Sequence, residues 1–165
     1  TKYQKDGSGV HHFKDETDNE EYLYTQFEAF YAHKAFPVFD QPDIRAIIEL
    51  TTFAPEKWVT VGNGAAREES IRGEVNFDLA ISRIAHGKDF ADSFSKEDGC
   101  KLNHFNATPA IASYLFAFAS GPFKGFTKYY EIPGRSQKLT MRIFSRRTLE
   151  KETESISEKM FDATH

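Results

Sequence analysis

The chain is poor in the residues that staple, span or switch. Its one cysteine, Cys100, cannot close an internal disulfide, which excludes a small stapled scaffold and points to a reducing, cytoplasmic setting. No apolar run reaches the roughly 18 residues of a spanning helix, and the run from Ala110 to Ala119 is short and strand-like. An excess of positive charge is missing too. The formal charge is -4, which excludes a general nucleic-acid footprint. The basic run Arg142 to Arg147 is short and adjoins acidic residues. None of the six histidines pairs with another at helical metal spacing, so there is no His-Glu-x-x-His zinc helix. A Gly-x-Ser-x-Gly elbow and a Walker loop are absent as well.

What is present is aromatic. Phe occurs 16 times, which suits a β-rich core, because the ring packs well on a pleated surface. Residues 1–21 are polar. Asp6-Gly7-Ser8-Gly9 marks a turn, and Asp15 to Glu21 reads as a solvated acidic loop. His11 and His12 read as exposed polar residues of a turn.

Alternation predicts strands over Tyr22 to Phe30, covered on both sides, and over Ile44 to Phe53. Between them Pro37 and Pro42 forbid regular structure. Further strands are predicted over Trp58 to Val61, Ile111 to Ala119 and Lys138 to Ser145. Gly62-Asn63-Gly64 reads as a hairpin turn. Ile71 to Ser82 alternates weakly, and His86 to Lys101 reads as a charged surface loop. From Arg146 to His165 the period becomes helical, with Leu149, Ile156, Met160 and Ala163 on one stripe that has no evident mate. The fold class is therefore mainly β, an antiparallel β-sandwich or saddle, with a C-terminal helix.

Little chemistry follows from spacing. Cys100 and His104 lie four apart, but a coincidence in a charged loop is the plainer reading, since further ligands are not evident. In one alternating strand Gln26 and Glu28 share a face. The amide can donate and accept, and the carboxylate can hold an ammonium, as recognition of a peptide N-terminus requires. On spacing alone, a solvated sheet face explains the pair equally simply.

The stretch Tyr22-Leu-Tyr-Thr-Gln-Phe-Glu28, followed by Ala32-His-Lys-Ala-Phe-Pro-Val-Phe-Asp-Gln-Pro-Asp43, resembles the N-terminal domain of the aminopeptidase N type of zinc aminopeptidases. That family reads Y-T-Q-x-E and then A-R-x-x-F-P-C-F-D-x-P. Further pieces are similar in order: the Asp6 to Gly9 turn, Ala54-Pro-Glu-Lys-Trp58 through Asn63, and Phe105-Asn-Ala-Thr-Pro-Ala-Ile-Ala-Ser-Tyr-Leu115 with Gly121-Pro-Phe123. Val38 stands where the family has Cys, His33-Lys34 where it often has Arg, and Gly87 to Leu102 is longer and more charged than usual.

The resemblance implies that residues 1–145 are the family's N-terminal β domain with its first strands missing. Residues 146–165 would be the first helix of a catalytic domain that is otherwise absent. Gln26 would line the first side-chain subsite, and Glu28 would help hold the substrate's α-ammonium. Asp40 and Asp43 would cap the backbone of the proline-rich turn. No cofactor is expected in this chain, because the zinc, the Gly-x-Met-Glu-Asn loop and the catalytic Tyr belong to the catalytic domain. The alternative is a non-catalytic interaction subunit of a larger assembly. In that case the stripe of Leu149, Ile156 and Met160 would meet a protein partner.

Overall fold

The computed structural model describes residues 6–71 and 100–164. Ile71 to Ser82 and His86 to Lys101 therefore lie, but for their ends, outside the described residues.

Eleven strands are described: β1 (Gly9–Lys14), β2 (Glu21–Gln26), β3 (Arg45–Ala46), β4 (Thr51–Pro55), β5 (Val59–Gly62), β6 (Ala66–Ile71), β7 (Cys100–Phe105), β8 (Ile111–Ala112), β9 (Phe118–Gly121), β10 (Lys124–Tyr130) and β11 (Leu139–Ser145). The helix α1 spans Glu150–Thr164. All pairings are antiparallel. They give a four-stranded sheet in the order β1-β2-β9-β5, a three-stranded sheet β4-β7-β6, and the pairs β3-β8 and β10-β11. The fold class is as expected, a mainly antiparallel β-sandwich with a C-terminal helix.

The two larger sheets approach each other at Gly62 and Phe105. A Cβ on Gly62 of β5 would lie 3.2 Å from the Phe105 ring of β7 and 3.3 Å from Leu50, so only the missing side chain permits this approach. The core gathers on Phe27, Ala32 and Phe116. Val10 and Phe118 of the four-stranded sheet pack on it from one side. Ala35, Phe36, Val38, Ile48 and Leu50 pack on it from the segment between β2 and β4. Phe27, Phe36 and Phe116 meet at 5.7–6.0 Å between ring centroids, the offset and edge-on geometry that aromatic quadrupoles favour.

Several local expectations are corrected. The strand from Tyr22 ends at Gln26, and Tyr24 remains 46% exposed, so β2 is not covered on both sides. Ile44 to Phe53 is not one strand, because β3 and β4 are separate, while Ile48 N–H turns aside to the Thr108 hydroxyl at 3.0 Å. Ile111 to Ala119 is likewise broken into β8, a 3-10 turn over Ser113–Leu115, and β9. The break is held by side chains. Ser113 donates to Asp40 at 2.6 Å, and Asn63 bridges the Leu115 carbonyl and the Ala117 N–H, each at 2.8 Å. Gly62-Asn63-Gly64 is no hairpin turn, since β5 and β6 pair in different sheets.

The polar N-terminal stretch is structured. His11 lies in β1, buried, and stacks on Tyr24 at 4.9 Å. Asp15 is buried and not solvated. The helical stripe is exposed as expected, but α1 does have a mate, the β10–β11 hairpin. Ser157 and Phe161 are the buried residues of the helix, and Lys128 reaches Glu158 at 2.6 Å and Asp162 at 2.8 Å.

Candidate functional site

The end of β2 shows how the chain presents Gln26 and Glu28. β2 pairs with β9 only at Leu23 and Tyr24. At Thr25 the side chain takes over from the backbone ladder: its hydroxyl accepts from Phe118 N–H at 3.0 Å and donates to the Phe118 carbonyl at 3.3 Å. Gln26 still pairs with Gly9 of β1. Phe27 then turns inward, 2% exposed, and the Tyr31 N–H closes a turn on its carbonyl at 2.9 Å. Glu28 lies in that turn, beyond the strand, and its peptide bond to Ala29 is cis.

Gln26 and Glu28 therefore do not share a strand face. They flank a buried phenylalanine instead, both exposed, one on the last strand residue and one on the turn. Among the described residues neither side chain makes a hydrogen bond or an ion pair. Both are exposed, on a backbone that the core residue between them anchors.

The surroundings are polar and mostly self-satisfied. Lys34 pairs with Asp6 at 2.9 Å, hydrogen-bonds Ser8, and lies 4.8 Å from the centroid of the Tyr31 ring. The Lys34 ammonium, with Ser8, holds the Asp6 carboxyl well below the usual carboxylate range. Asp40 caps backbone not of the proline-rich turn but of the 3-10 turn Ala32–Lys34 before it, accepting from His33 N–H and facing His33 Nδ1, both at 3.0 Å. Burial works against the Asp40 charge, but the donors from Ser113 and His33 outweigh it and keep its carboxyl below the ordinary value. Asp43 is exposed and makes no such bond among the described residues. Phe30 and Phe39, 56% and 79% exposed, add apolar surface on the same segment.

Among the described residues no three His, Cys, Asp or Glu side chains converge as a metal site requires. His104 Nδ1 is engaged with the Thr51 hydroxyl at 3.1 Å.

One polar centre was not legible in the sequence. Asp15 Oδ1 accepts the Thr17 N–H at 3.0 Å, while Oδ2 accepts Arg146 Nη1 at 3.1 Å and the Thr148 hydroxyl at 2.7 Å. The Thr148 hydroxyl foremost, and the Thr17 N–H next, hold the Asp15 carboxyl below its ordinary value against the cost of burial. The basic run at Arg142 to Arg147 was the one available signal, but nothing local tied it to Asp15.

The sequence is similar to known proteins. Residues 1–81 match the family model of the Peptidase M1 N-terminal domain. The chain is 32% identical to an aminopeptidase N of Streptomyces lividans over 137 residues, which is 83% of this chain and 13% of that protein. It is 23% identical to an aminopeptidase N of Mus musculus, over 62% of this chain and 8% of that protein. It is 27% identical to an alanine/arginine aminopeptidase of Saccharomyces cerevisiae, over 67% of this chain and 11% of that protein. The chain thus spans only 8–13% of the length of these curated relatives.

Proposed function

Because this chain is an N-terminal domain of the aminopeptidase N type, we propose that it supplies one wall of the substrate site of a zinc aminopeptidase that removes N-terminal residues from peptides. The observation that supports this is the pair of exposed side chains, unpartnered among the described residues, held on either side of the buried Phe27. In this reading the Glu28 carboxylate holds the substrate's α-ammonium, and the Gln26 amide lines the first side-chain subsite. A charge-assisted hydrogen bond to a positioned ammonium fixes where the first peptide bond lies. The zinc and the catalytic groups come from residues other than those described. A cytoplasmic location fits the lone Cys100.

The test uses the cellular polypeptide that carries this sequence. Glu28→Gln should lower kcat/KM for an aminoacyl anilide by about 10–100-fold, the loss of one hydrogen bond to a charged group. Gln26→Ala should change the preference for the first side chain more than the rate. Undiminished kcat/KM in Glu28→Gln would sink the assignment. The 165-residue chain alone should show no chelator-sensitive hydrolysis, and turnover there would overturn the division of labour.

A second reading, a non-catalytic interaction subunit, draws support from Leu149, Ile156 and Met160, which remain 41%, 48% and 43% exposed. The native mass separates the two: a species near 18.9 kDa favours the interaction subunit, and one several times larger favours the peptidase.

A further inference from the structure

β10, β11 and α1 form a unit with its own hydrogen bonding. Among the described strands, β10 and β11 pair only with each other, from Lys124↔Ser145 to Tyr130↔Leu139. α1 lies across them. Met160 and Phe161 of the helix line one groove with Met141 and Ile143 of β11, and Lys124 reaches Glu150 at 3.3 Å.

The polar contacts that tie this unit to the four-stranded sheet gather at the turn between β1 and β2. Asp15 receives Arg146 and Thr148. Glu20 receives Arg147 Nη1 at 3.0 Å, and the Tyr22 hydroxyl accepts the Arg147 N–H at 3.2 Å. The Arg146 guanidinium also covers the Phe13 ring at 4.8 Å, and Tyr22 meets Phe123 at 5.1 Å. Three consecutive residues, Arg146 to Thr148, are thus seized by one turn that lies more than 120 residues earlier in the chain.

We propose that Asp15 is a clasp that holds the β10–β11–α1 unit in one orientation on the sheet, and that without the clasp the unit opens cooperatively, its hairpin and helix hydrogen bonds breaking together. The carboxylate uses both oxygens, one for Thr17 and one for Arg146 and Thr148. A neutral amide in its place has a single acceptor oxygen. It keeps either the turn or the clasp, and it presents donors to donors on the other side. The Asp15 side chain is buried while that of Arg146 is 36% exposed, so replacing Asp15 removes the buried acceptor and leaves a guanidinium that water still reaches in part. The exposed stripe of Leu149, Ile156 and Met160 rides on this unit, so the clasp also sets which way that stripe faces. The proposal is independent of the peptidase reading.

Hydrogen exchange on the 165-residue chain tests it. In Asp15→Asn, amides of β10, β11 and α1 should exchange about tenfold faster or more, while those of β5, β9, β4 and β7 keep their rates. Thr148→Val should shift the same amides in the same direction by less. If Asp15→Asn does not fold, Arg146→Met replaces it, because this variant keeps an apolar stem over Phe13 and removes the charge. Three results overturn the clasp: equal acceleration of both regions, no acceleration anywhere, or acceleration confined to residues 15–20.

Discussion

The two ends of β2 use opposite physics. At its C-terminal end Phe27 enters an apolar nest with Phe36, Phe116 and Ala32. At its N-terminal end Tyr22, Glu20 and Asp15 grip Arg146, Arg147 and Thr148 through charge and hydrogen bonds. The nest is held by area removed from water, which has no direction and tolerates small shifts. The clasp depends on donors and acceptors at 2.7–3.2 Å and fails if one of them turns away. The nest therefore makes the domain fold, while the clasp decides how one part of it sits on the rest. The candidate ligand groups Gln26 and Glu28 are placed at the apolar end, where the backbone is anchored most firmly.

The contrast is broken most strongly at Phe27. Phe27→Ala should cost about 3–5 kcal/mol and lower the melting temperature by roughly 10 °C. Far-UV circular dichroism should then show strand and helix signals lost together. A helix that survives the loss of the sheet would mean that the nest does not underpin the clasp.

Gly121→Ala addresses the N-terminal end through one residue. Its new Cβ would lie 2.6 Å from Tyr22 Cδ1, so the ring that meets Phe123 and accepts from Arg147 must shift. A loss of about 1–3 kcal/mol in urea unfolding is expected. No loss would show that Tyr22 is free to move.

Acid probes the clasp through Asp15, and comparison with Asp15→Asn separates it from the other carboxylates. Asp15 has a lowered pKa in the folded chain, so its contribution is present above the usual carboxylate value of 3.8 and is lost as pH falls through the lower folded value. Asp6 and Asp40 carry shifts of the same sign and contribute to the same acid limb. The urea midpoint should therefore fall between pH 7 and pH 3, and it should fall less in Asp15→Asn than in the parent chain. Equal falls would remove Asp15 from the acid response.

The smallest effect is expected on the outer face of α1. Ile156→Ser should change stability by no more than about 0.5 kcal/mol, because a half-exposed side chain gives up little on truncation. A larger loss that grows with protein concentration would show that a second copy covers this face.

Much of the β architecture was legible locally. Alternation located β2, β5 and β11 to within a few residues, and the helical period located α1. β10 escaped, because Lys124 to Tyr130 hides its half-buried positions, Phe126, Lys128 and Tyr130, among polar and aromatic neighbours. The long strands expected over Ile44 to Phe53 and Ile111 to Ala119 failed for a different reason. Thr108, Asp40 and Asn63 interrupt their ladders from elsewhere in the chain. At the candidate site, Gln26 and Glu28 were legible as residues but not as a geometry, since the strand was expected to run through both.

By itself, then, the sequence determined the class of fold, through side-chain period, which is local. It named Gln26 and Glu28 as candidate ligand groups through the family resemblance. Only the tertiary structure decided that β2 stops at Gln26, that Asp15 is buried and not solvated, and that the helix is fastened to the first hairpin. Those outcomes depend on partners as many as 133 residues away, and local patterning carries no record of which distant donor a carboxylate will meet.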